Sequence, residues 1–250
     1  MDKKLAVVIM AAGKGTRMNN PNIAKVMYTV ARKPMVEHVV DLALHLDSER
    51  TVVIVGWKKE TVIHHLEKTG KPVMCVEQSP QLGTGHAVMQ SEKALEGFTG
   101  DVLVLSGDVP LLSEDTVRSL LRLHREARAA ATVLTAILDD PTGYGRVVRD
   151  SQGHVVGIVE QKDASEQERD IKEINSGIYL FDRGRLFDGL RHITPHNAQK
   201  EYYLTDVFQY FWRNAFPVRA VPANHPLEIR GVNTVQQLDE AREAFALRTG

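Results

Sequence analysis

The sequence predicts an α/β fold with a mostly parallel central sheet, helices on both of its faces and an antiparallel lid. Short apolar runs rich in β-branched residues recur along the first half of the chain, and segments with helical spacing lie between them. That alternation is typical of a parallel sheet covered on both sides. In the second half, three strand-like segments lie close together, which favours antiparallel pairing.

Four apolar runs of the first half predict strands that are buried on both faces, and a fifth strand follows them. These segments are Leu5 to Met10, Thr51 to Val55, Val73 to Val76, Val102 to Leu105 and Thr132 to Leu138. Helical spacing of apolar residues predicts helices over Met35 to Leu46, Glu60 to Lys68, His86 to Leu95 and Asp115 to Ala127. Ser113 is the predicted N-cap of the last of these helices.

The second half predicts a lid and two closing helices. The lid strands are Gly145 to Arg149, Val155 to Glu160 and Ile174 to Phe181, with a turn at Ser151-Gln152-Gly153 between the first two. The helices are Tyr203 to Asn214 and Val235 to Leu247, and Thr234 with Gln237 has capping-box spacing at the start of the second. The polar stretch from Lys162 to Lys172 predicts a solvated loop or a short helix.

Composition excludes several classes of function. The 250 residues include 31 basic and 32 acidic side chains, for a net charge of -1, so no broad basic surface for nucleic acid is expected. No segment reaches the roughly 20 apolar residues of a membrane span, and the charged start Met1-Asp2 precedes no long apolar run. The single cysteine, Cys75, cannot form an internal disulfide and is interpreted as a buried structural thiol in a reducing, cytoplasmic compartment.

The segment Ala11-Ala12-Gly13-Lys14-Gly15-Thr16-Arg17 leaves the carboxyl end of the first strand. Its two glycines permit a tight turn whose amides face outward, which suits a phosphate, although an ordinary turn is an equal alternative. It is neither a Walker A loop nor a full dinucleotide fingerprint, because Met18 stands where the third glycine belongs. Lys14, Arg17 and the nearby Lys25 favour a polyphosphate ligand.

Two more clusters follow the third and fourth strands. In the first, Gly83, Thr84 and Gln78 could receive a planar base, or could simply form a loop that caps the next helix. In the second, Asp108 in Ser106-Gly107-Asp108 could hold a divalent cation, or could only shape a turn. Because parallel sheets bind ligands at the carboxyl ends of their strands, and all three clusters lie there, we interpret them as one site.

A fourth group of polar residues lies in the second half, and its residue types suit sugar hydroxyls. Its members are Gly143-Tyr144-Gly145-Arg146, Glu160, Asn175-Ser176-Gly177, the run Glu201 to Asp206, and Gly231-Val232-Asn233. The tyrosines could equally be core or surface aromatics. Asn233 could belong to a helix cap or be a magnesium ligand.

Read in order, AAGKGTR, QSPQLGTGHA, SGDVPL, DDPTGYGRV, IVEQKDA, EINSGIY, NAQKEYYLTD and GVN resemble the sugar nucleotidyltransferases. The likeness is greatest to the bacterial uridylyltransferase domains that act on N-acetylglucosamine 1-phosphate. It covers nearly the whole chain, and PTGYGR, EINSG and EYYLTD are its most specific motifs. The resemblance implies a Rossmann-like nucleotide-diphospho-sugar transferase fold in one domain, 1–250, with a nucleotide-binding half (1–112) and a sugar-binding half (113–250).

The resemblance also implies a role for each candidate residue. UTP would meet Ala11, Ala12, Gly13, Gly15 and Gly107, with the catalytic cations Arg17 and Lys25 on its phosphates. Gln78 and Gly83 would read uracil with Thr84 beside them, and Asp108 and Asn233 would bind Mg²⁺. The sugar phosphate would contact Gly145, Glu160, Asn175 and Thr205. The loop from Asn19 to Ala24 departs from the family by one extra residue, and Ala24 stands where a proline is usual.

The implied reaction is in-line attack by the sugar-phosphate oxygen on the α-phosphorus of UTP, which releases pyrophosphate and UDP-N-acetylglucosamine. No general base is needed, because the second pKa of a phosphate monoester is about 6. Nothing resembles hexapeptide repeats, so no acetyltransferase activity is expected. Three alternatives remain: another pairing such as glucose 1-phosphate with UTP or dTTP, a non-catalytic nucleotide-sugar-binding module, and a dehydrogenase, which the missing third glycine disfavours. The oligomeric state stays open.

Overall fold

The computed structural model describes residues 3–18, 20 and 22–249, so Met1, Asp2 and part of the loop from Asn19 to Ala24 lie outside the described residues. Within those ranges the strands are β1 Leu5–Ala11, β2 Thr29–Val30, β3 Lys33–Pro34, β4 Arg50–Val55, β5 Met74–Glu77, β6 Asp101–Ser106, β7 Ala131–Ile137, β8 Arg146–Arg149, β9 Val155–Val159, β10 Glu173–Asp182 and β11 Val218–Pro222. The helices are α1 Met35–His45, α2 Lys59–Thr69, α3 Thr84–Met89, α4 Glu114–Glu126, α5 Glu166–Arg169, α6 Arg183–Leu190, α7 Asp206–Arg213 and α8 Val235–Thr249.

The central sheet has the strand order β11-β7-β10-β6-β1-β4-β5. Its strands β6, β1, β4 and β5 are parallel, as predicted. β10 runs antiparallel between β6 and β7, and the β8–β9 hairpin branches from it. The sequence placed the strand Ile174 to Phe181 in the lid alone. That interpretation is wrong for the second half of β10, which lies within the central sheet. Leu180 and Phe181 are both completely buried, and a strand that is apolar on both faces belongs inside a sheet.

The prediction that every early strand is buried on both faces is wrong for β5. This strand is at the edge of the sheet and pairs with β4 alone. Met74 is 52% exposed, and Cys75 is only half-buried. The partial burial still raises the pKa of the Cys75 thiol.

Several element boundaries differ from the prediction. α3 ends at Met89 rather than Leu95, and turns follow it. α7 begins at Asp206 rather than Tyr203, because the preceding residues contact the loop before α3. The sequence analysis missed α6, which contains two glycines, and β11, which ends in a proline. Ser113 caps α4 as predicted, with its side chain accepting from the backbone of Thr116.

Apolar residues cover both faces of the sheet. Along β1, Val7 and Ile9 face one core and Ala6 and Val8 face the other. A smaller third cluster packs α8 beside the short β2 strand and includes Val232. It brings the segment before α8 close to the end of β6. No helix among the described residues is long and apolar enough to cross a membrane.

Candidate active site

The carboxyl ends of β1, β5 and β6 surround a cavity of about 500 Å³. Eight of the residues to which the family resemblance assigned a role line it: Ala11, Ala12, Gly13, Lys25, Gln78, Gly83, Thr84 and Asp108. The interpretation of the three early clusters as parts of one site is consistent with this arrangement. Glu201 also lines the cavity, so the second half of the chain contributes to it.

The glycine loop after β1 is held open by contacts to its first residues. The carbonyl of Ala12 accepts from the Trp57 amide at 3.1 Å and from Gln81 Nε2 at 2.5 Å. Gly15 has a φ of +62°, and a Cβ there would lie 2.5 Å from the Cβ of Lys25, so the lysine side chain requires a glycine. Among the described residues no acceptor takes the amide protons of Gly13 or Gly15. These amides remain available to an anion.

Two cations and two side-chain oxygens meet beside this loop. Lys25 Nζ donates to Asp108 Oδ2, and it also donates to Asn233 Oδ1 at 3.0 Å. Arg17 Nη2 donates to the same amide oxygen at 2.9 Å. The Lys25 and Asp108 side chains are only 15% and 13% exposed. All four side chains that the sequence analysis assigned to phosphates and metal are thus brought together.

Backbone contacts fix Asn233 against Asp108, although 125 residues separate them. The amide of Val232 donates to the carbonyl of Asp108 at 2.9 Å, and the amide of Asn233 donates to Gln237 Oε1 at 2.8 Å. The predicted capping box is half formed, since Thr234 Oγ1 accepts from the Gln237 amide at 3.2 Å while the glutamine side chain bonds Asn233. Helix α8 therefore begins with contacts that orient Asn233.

The donor set fits a magnesium ion. Asp108 and Asn233 supply one carboxylate and one amide oxygen that converge on a single cation, the Lys25 ammonium. Mg²⁺ is commonly held by one or two carboxylates together with substrate phosphates and waters. No cluster of three or more His, Cys, Asp or Glu suited to a metal exists within residues 3–18, 20 and 22–249. A metal at this place would thus depend on phosphate oxygens for its other ligands.

The loop after β5 approaches the second half of the chain closely. Gly83 has a φ of +105°, and a Cβ there would lie 2.7 Å from the carbonyl oxygen of Tyr202. Thr84 Oγ1 accepts from the Leu204 amide at 3.0 Å. Gln78 Nε2 donates to the carbonyl of Gly83 at 2.9 Å. The segment from Glu201 to Thr205 thus packs directly on the candidate base site.

The four predicted sugar contacts lie close to one another, outside the lining of the cavity described above. Thr205 Oγ1 donates to Glu160 Oε1 at 3.2 Å, and the amide of Asn175 donates to the carbonyl of Gly145 at 2.9 Å. A Cβ at Gly145 would lie 3.3 Å from Glu160 Oε2. Burial raises the pKa of Glu160, and the hydrogen bond from Thr205 only partly offsets it.

A β-bulge presents Asn175 to this group. The register of β10 against β7 shifts between Asn175 and Tyr179, and Gly177 within the shift has a φ of +79°. Such bulges redirect side chains and are common beside active sites. Ser106 Oγ donates to the carbonyl of Gly177 at 3.4 Å, which joins the bulge to the nucleotide-side cavity. This hydrogen bond connects the group around Asn175 to Ser106, which lines the cavity.

Several other candidate residues are engaged in contacts within the protein itself. The amide of Gly107 donates to the carbonyl of Met10 at 2.9 Å. Arg146 is 2% exposed and its guanidinium donates to the carbonyl of Tyr144, so this arginine holds the loop before β8. Lys14 Nζ lies 5.3 Å from the ring centroid of Trp57. The sequence analysis missed Gln81, which holds the glycine loop and carries no local signal that distinguishes it from a surface residue.

A family model described as nucleotidyl transferase matches residues 6–225. The chain belongs to the nucleotidyl transferase family. Proteins named Bifunctional protein GlmU from Geobacillus thermodenitrificans and Pelotomaculum thermopropionicum are 48% and 45% identical to this nucleotidyl transferase. The matches cover 95% and 98% of this chain but 51% and 52% of those proteins. The chain thus spans about half the length of the curated relatives it matches.

Solved structures share the fold of this nucleotidyl transferase. A UDP-glucose pyrophosphorylase complexed with UDP-glucose superimposes with a TM-score of 0.78, over 99% of this chain and 100% of that chain. The sequence identity is 19%, so the likeness shows the fold alone. The predicted Rossmann-like, mostly parallel fold of the nucleotide-diphospho-sugar transferases is confirmed.

Proposed function

We propose that this nucleotidyl transferase transfers UMP from UTP to N-acetylglucosamine 1-phosphate, giving UDP-N-acetylglucosamine and pyrophosphate. The observation that carries the proposal is a cationic cluster with free loop amides at one cavity, connected by hydrogen bonds to a second group of polar residues. Lys25, Asp108 and the loop amides belong to the cavity. Glu160 lines a separate pocket, and the group that it forms with Asn175 and Thr205 is connected to the cavity through the hydrogen bond from Ser106 to Gly177. The identity to relatives named Bifunctional protein GlmU supports the same pair of substrates.

The triphosphate is bound by the cationic side of the cavity. The amides of Gly13 and Gly15 are free to donate to phosphate oxygens, and Lys25 and Arg17 supply the compensating charge. Fixed donors at the developing charge of the leaving pyrophosphate stabilise the transition state more than the bound substrate. Asp108 and Asn233 would hold Mg²⁺, which neutralises phosphate charge when it is bound.

The sugar phosphate is bound by the second group. A carboxylate, an amide and a hydroxyl offer the donors and acceptors that sugar hydroxyls require, and here they are Glu160, Asn175 and Thr205. We assign the nucleotide to residues 1–112 and the sugar to 113–250, with Asn233 and Glu201 crossing from the second part to the first. The free Cys75 suits a reducing cytoplasm.

The reaction needs no side chain to act as an acid or a base. A phosphate oxygen of the sugar phosphate, already ionised near neutral pH, forms a bond to the α-phosphorus of UTP. The bond from that phosphorus to the β-phosphate bridging oxygen breaks, and pyrophosphate leaves with the electron pair. The role of the protein is to align two anions and to neutralise their repulsion.

The test is pyrophosphate release with Mg²⁺, UTP and a panel of sugar 1-phosphates, repeated with dTTP, CTP and GTP. We expect turnover to be fastest with UTP and N-acetylglucosamine 1-phosphate. Asp108→Asn and Lys25→Ala should abolish most turnover, whereas Asp115→Asn on the exposed start of α4 should not. Faster turnover of glucose 1-phosphate would assign the other sugar, and tight binding of UTP without turnover would indicate a binding module.

A further inference from the structure

The side-chain amide of Gln78 has both of its protons engaged. Gln78 is 5% exposed, and its Nε2 lies 2.9 Å from the carbonyl oxygen of Gly83 and 3.2 Å from His86 Nδ1. An amide nitrogen only donates, and a carbonyl oxygen only accepts. The bond to Gly83 therefore identifies which end of the amide is nitrogen, and His86 Nδ1 must be the acceptor of the second proton.

This arrangement requires neutral His86 to carry its proton on Nε2. Burial lowers the pKa of His86, which favours the neutral ring. With the opposite tautomer, the ring N–H would meet Gln78 Nε2, and turning the amide to accept that proton would place Gln78 Oε1 against the carbonyl oxygen of Gly83. Gln90 Nε2 lies 3.2 Å from His86 Nε2 and also donates to the carbonyl of His86 at 3.0 Å. Only one of the two glutamines can donate to the neutral ring. Because Gln90 is half-exposed and Gln78 is buried, we assign the turn to Gln90, which can exchange its bond to the carbonyl for water and present its oxygen to the Nε2 proton.

The remaining atom of the Gln78 amide is an unpaired acceptor. Among the described residues none donates to Gln78 Oε1, and this oxygen is not enclosed by protein. Gln78 lines the cavity next to Gly83. The side chain thus offers the cavity an acceptor and no donor.

An acceptor at this position discriminates between pyrimidine bases. Uracil carries a proton on N3, which an amide oxygen accepts, whereas N3 of cytosine is itself an acceptor and would be repelled. A reversed amide would present Nε2 and would favour cytosine. A site that leaves a buried polar atom unpaired rejects the wrong ligand strongly.

We propose that His86 is a positioning residue that fixes the Gln78 amide with its oxygen toward the base, and so makes the site select uracil over cytosine. The proposal rests on the proposed function, because it requires the base of the nucleotide to lie against Gln78. His86 acts through Gln78 and need not touch the nucleotide. Its ring packs beside Tyr202, with the ring centroids 6.4 Å apart.

Three substitutions distinguish the effect of the Nδ1 acceptor of His86 from the effect of its ring packing. His86→Phe keeps a ring beside Tyr202 and removes both nitrogens. His86→Asn places an amide oxygen where Nδ1 lies, whereas His86→Gln places its polar atoms where Nε2 lies. The measurement is the ratio of kcat/KM for UTP to that for CTP at saturating N-acetylglucosamine 1-phosphate, with the affinities of both nucleotides measured calorimetrically without the sugar.

We expect the UTP to CTP ratio to fall about three- to tenfold in His86→Phe and His86→Gln, which is the effect of one net hydrogen bond. His86→Asn should retain the wild-type ratio, and KM for the sugar phosphate should be unchanged in all three. An unchanged ratio in His86→Phe, or an equal fall of the ratio in His86→Asn, overturns the inference about His86. The proposed function still holds in that case if the wild-type protein turns over UTP. A wild-type protein that does not prefer UTP overturns both.

Discussion

Gly83→Ala tests whether the base site and the sugar site are mechanically joined. The backbone at Gly83 has φ +105° and ψ 177°, a region that is essentially restricted to glycine and costs other residues about 1–3 kcal/mol. The added Cβ would also lie 2.7 Å from the carbonyl oxygen of Tyr202 and 2.8 Å from Glu201 Cβ. The two effects should together lower stability by about 2–4 kcal/mol.

The clash cannot be relieved by a side-chain rotation, because its main partner is backbone. The Tyr202 amide donates to the carbonyl of Leu82 at 2.8 Å, and its own carbonyl accepts from the Gly85 amide at 2.7 Å. An ordinary contact of 3.4 Å therefore requires the segment through Thr205 to move by about 0.7 Å relative to Gly83. Misplacement of about 1 Å can cost about a hundredfold in rate, so we expect kcat/KM to fall between about tenfold and a hundredfold.

The assay is steady-state pyrophosphate release with each substrate varied in turn, together with thermal unfolding. The matched control is Gly97→Ala, since Gly97 has a φ of +70° and a Cβ there would meet no atom of the described residues within 4 Å. It imposes backbone strain of about 1–2 kcal/mol without a clash. Both substrates should be affected in Gly83→Ala. If kcat/KM for the two variants is equal, the coupling through Tyr202 is refuted.

Three further perturbations test separate parts of the structure. Asp101→Asn should cost about 2 kcal/mol at pH 7. Burial raises the pKa of Asp101, but the nearby His124 ring and the cations Lys3 and Arg125 lower it to about 2. In the wild-type protein this contribution should be present above pH 4 and disappear as the pH falls toward 2, so urea unfolding that shows no such pH dependence contradicts it. Lys25→Met should increase the affinity for Mn²⁺ in the absence of nucleotide by about tenfold, since the ammonium no longer covers the oxygens of Asp108 and Asn233. Mn²⁺ binding is measured by water-proton relaxation, and an unchanged affinity would contradict the prediction. Tyr179→Phe should raise KM for the sugar phosphate about fivefold and leave KM for UTP unchanged, because the buried hydroxyl accepts from Asn175 Nδ2 at 2.8 Å. Steady-state kinetics in which both KM values rise equally would indicate a general loss of structure instead.

The sequence predicts most of the parallel half of the sheet, because strands such as β1 and β6 are apolar on both faces over several residues. The same rule fails for β5, since an edge strand with one neighbour leaves Met74 exposed even when its sequence is apolar. The pattern of apolar residues also does not reveal that β10 enters the central sheet. The order of strands is determined by packing between distant segments, which a local pattern does not encode.

The candidate site, like the fold, is only partly predictable from the sequence. The glycine loop and Asp108 are suggested by residue type and by their place after strands. The approach of Asn233 to Asp108 depends instead on the backbone bond from Val232 and on the third apolar cluster. The second role of Gln237, which orients Asn233 rather than completing a capping box, is visible only in the structure.

The cationic cluster explains how a chain with a net charge of -1 can receive two anions. Lys25 pairs with the Asp108 carboxylate, and both Lys25 and Arg17 donate to the amide oxygen of Asn233. We expect phosphate oxygens to compete for these cations, because a triphosphate carries more negative charge than the single carboxylate that Lys25 contacts. If Lys25 turns to the phosphates, the oxygens of Asp108 and Asn233 would become available to a divalent cation. The lysine would thus link nucleotide binding to metal binding.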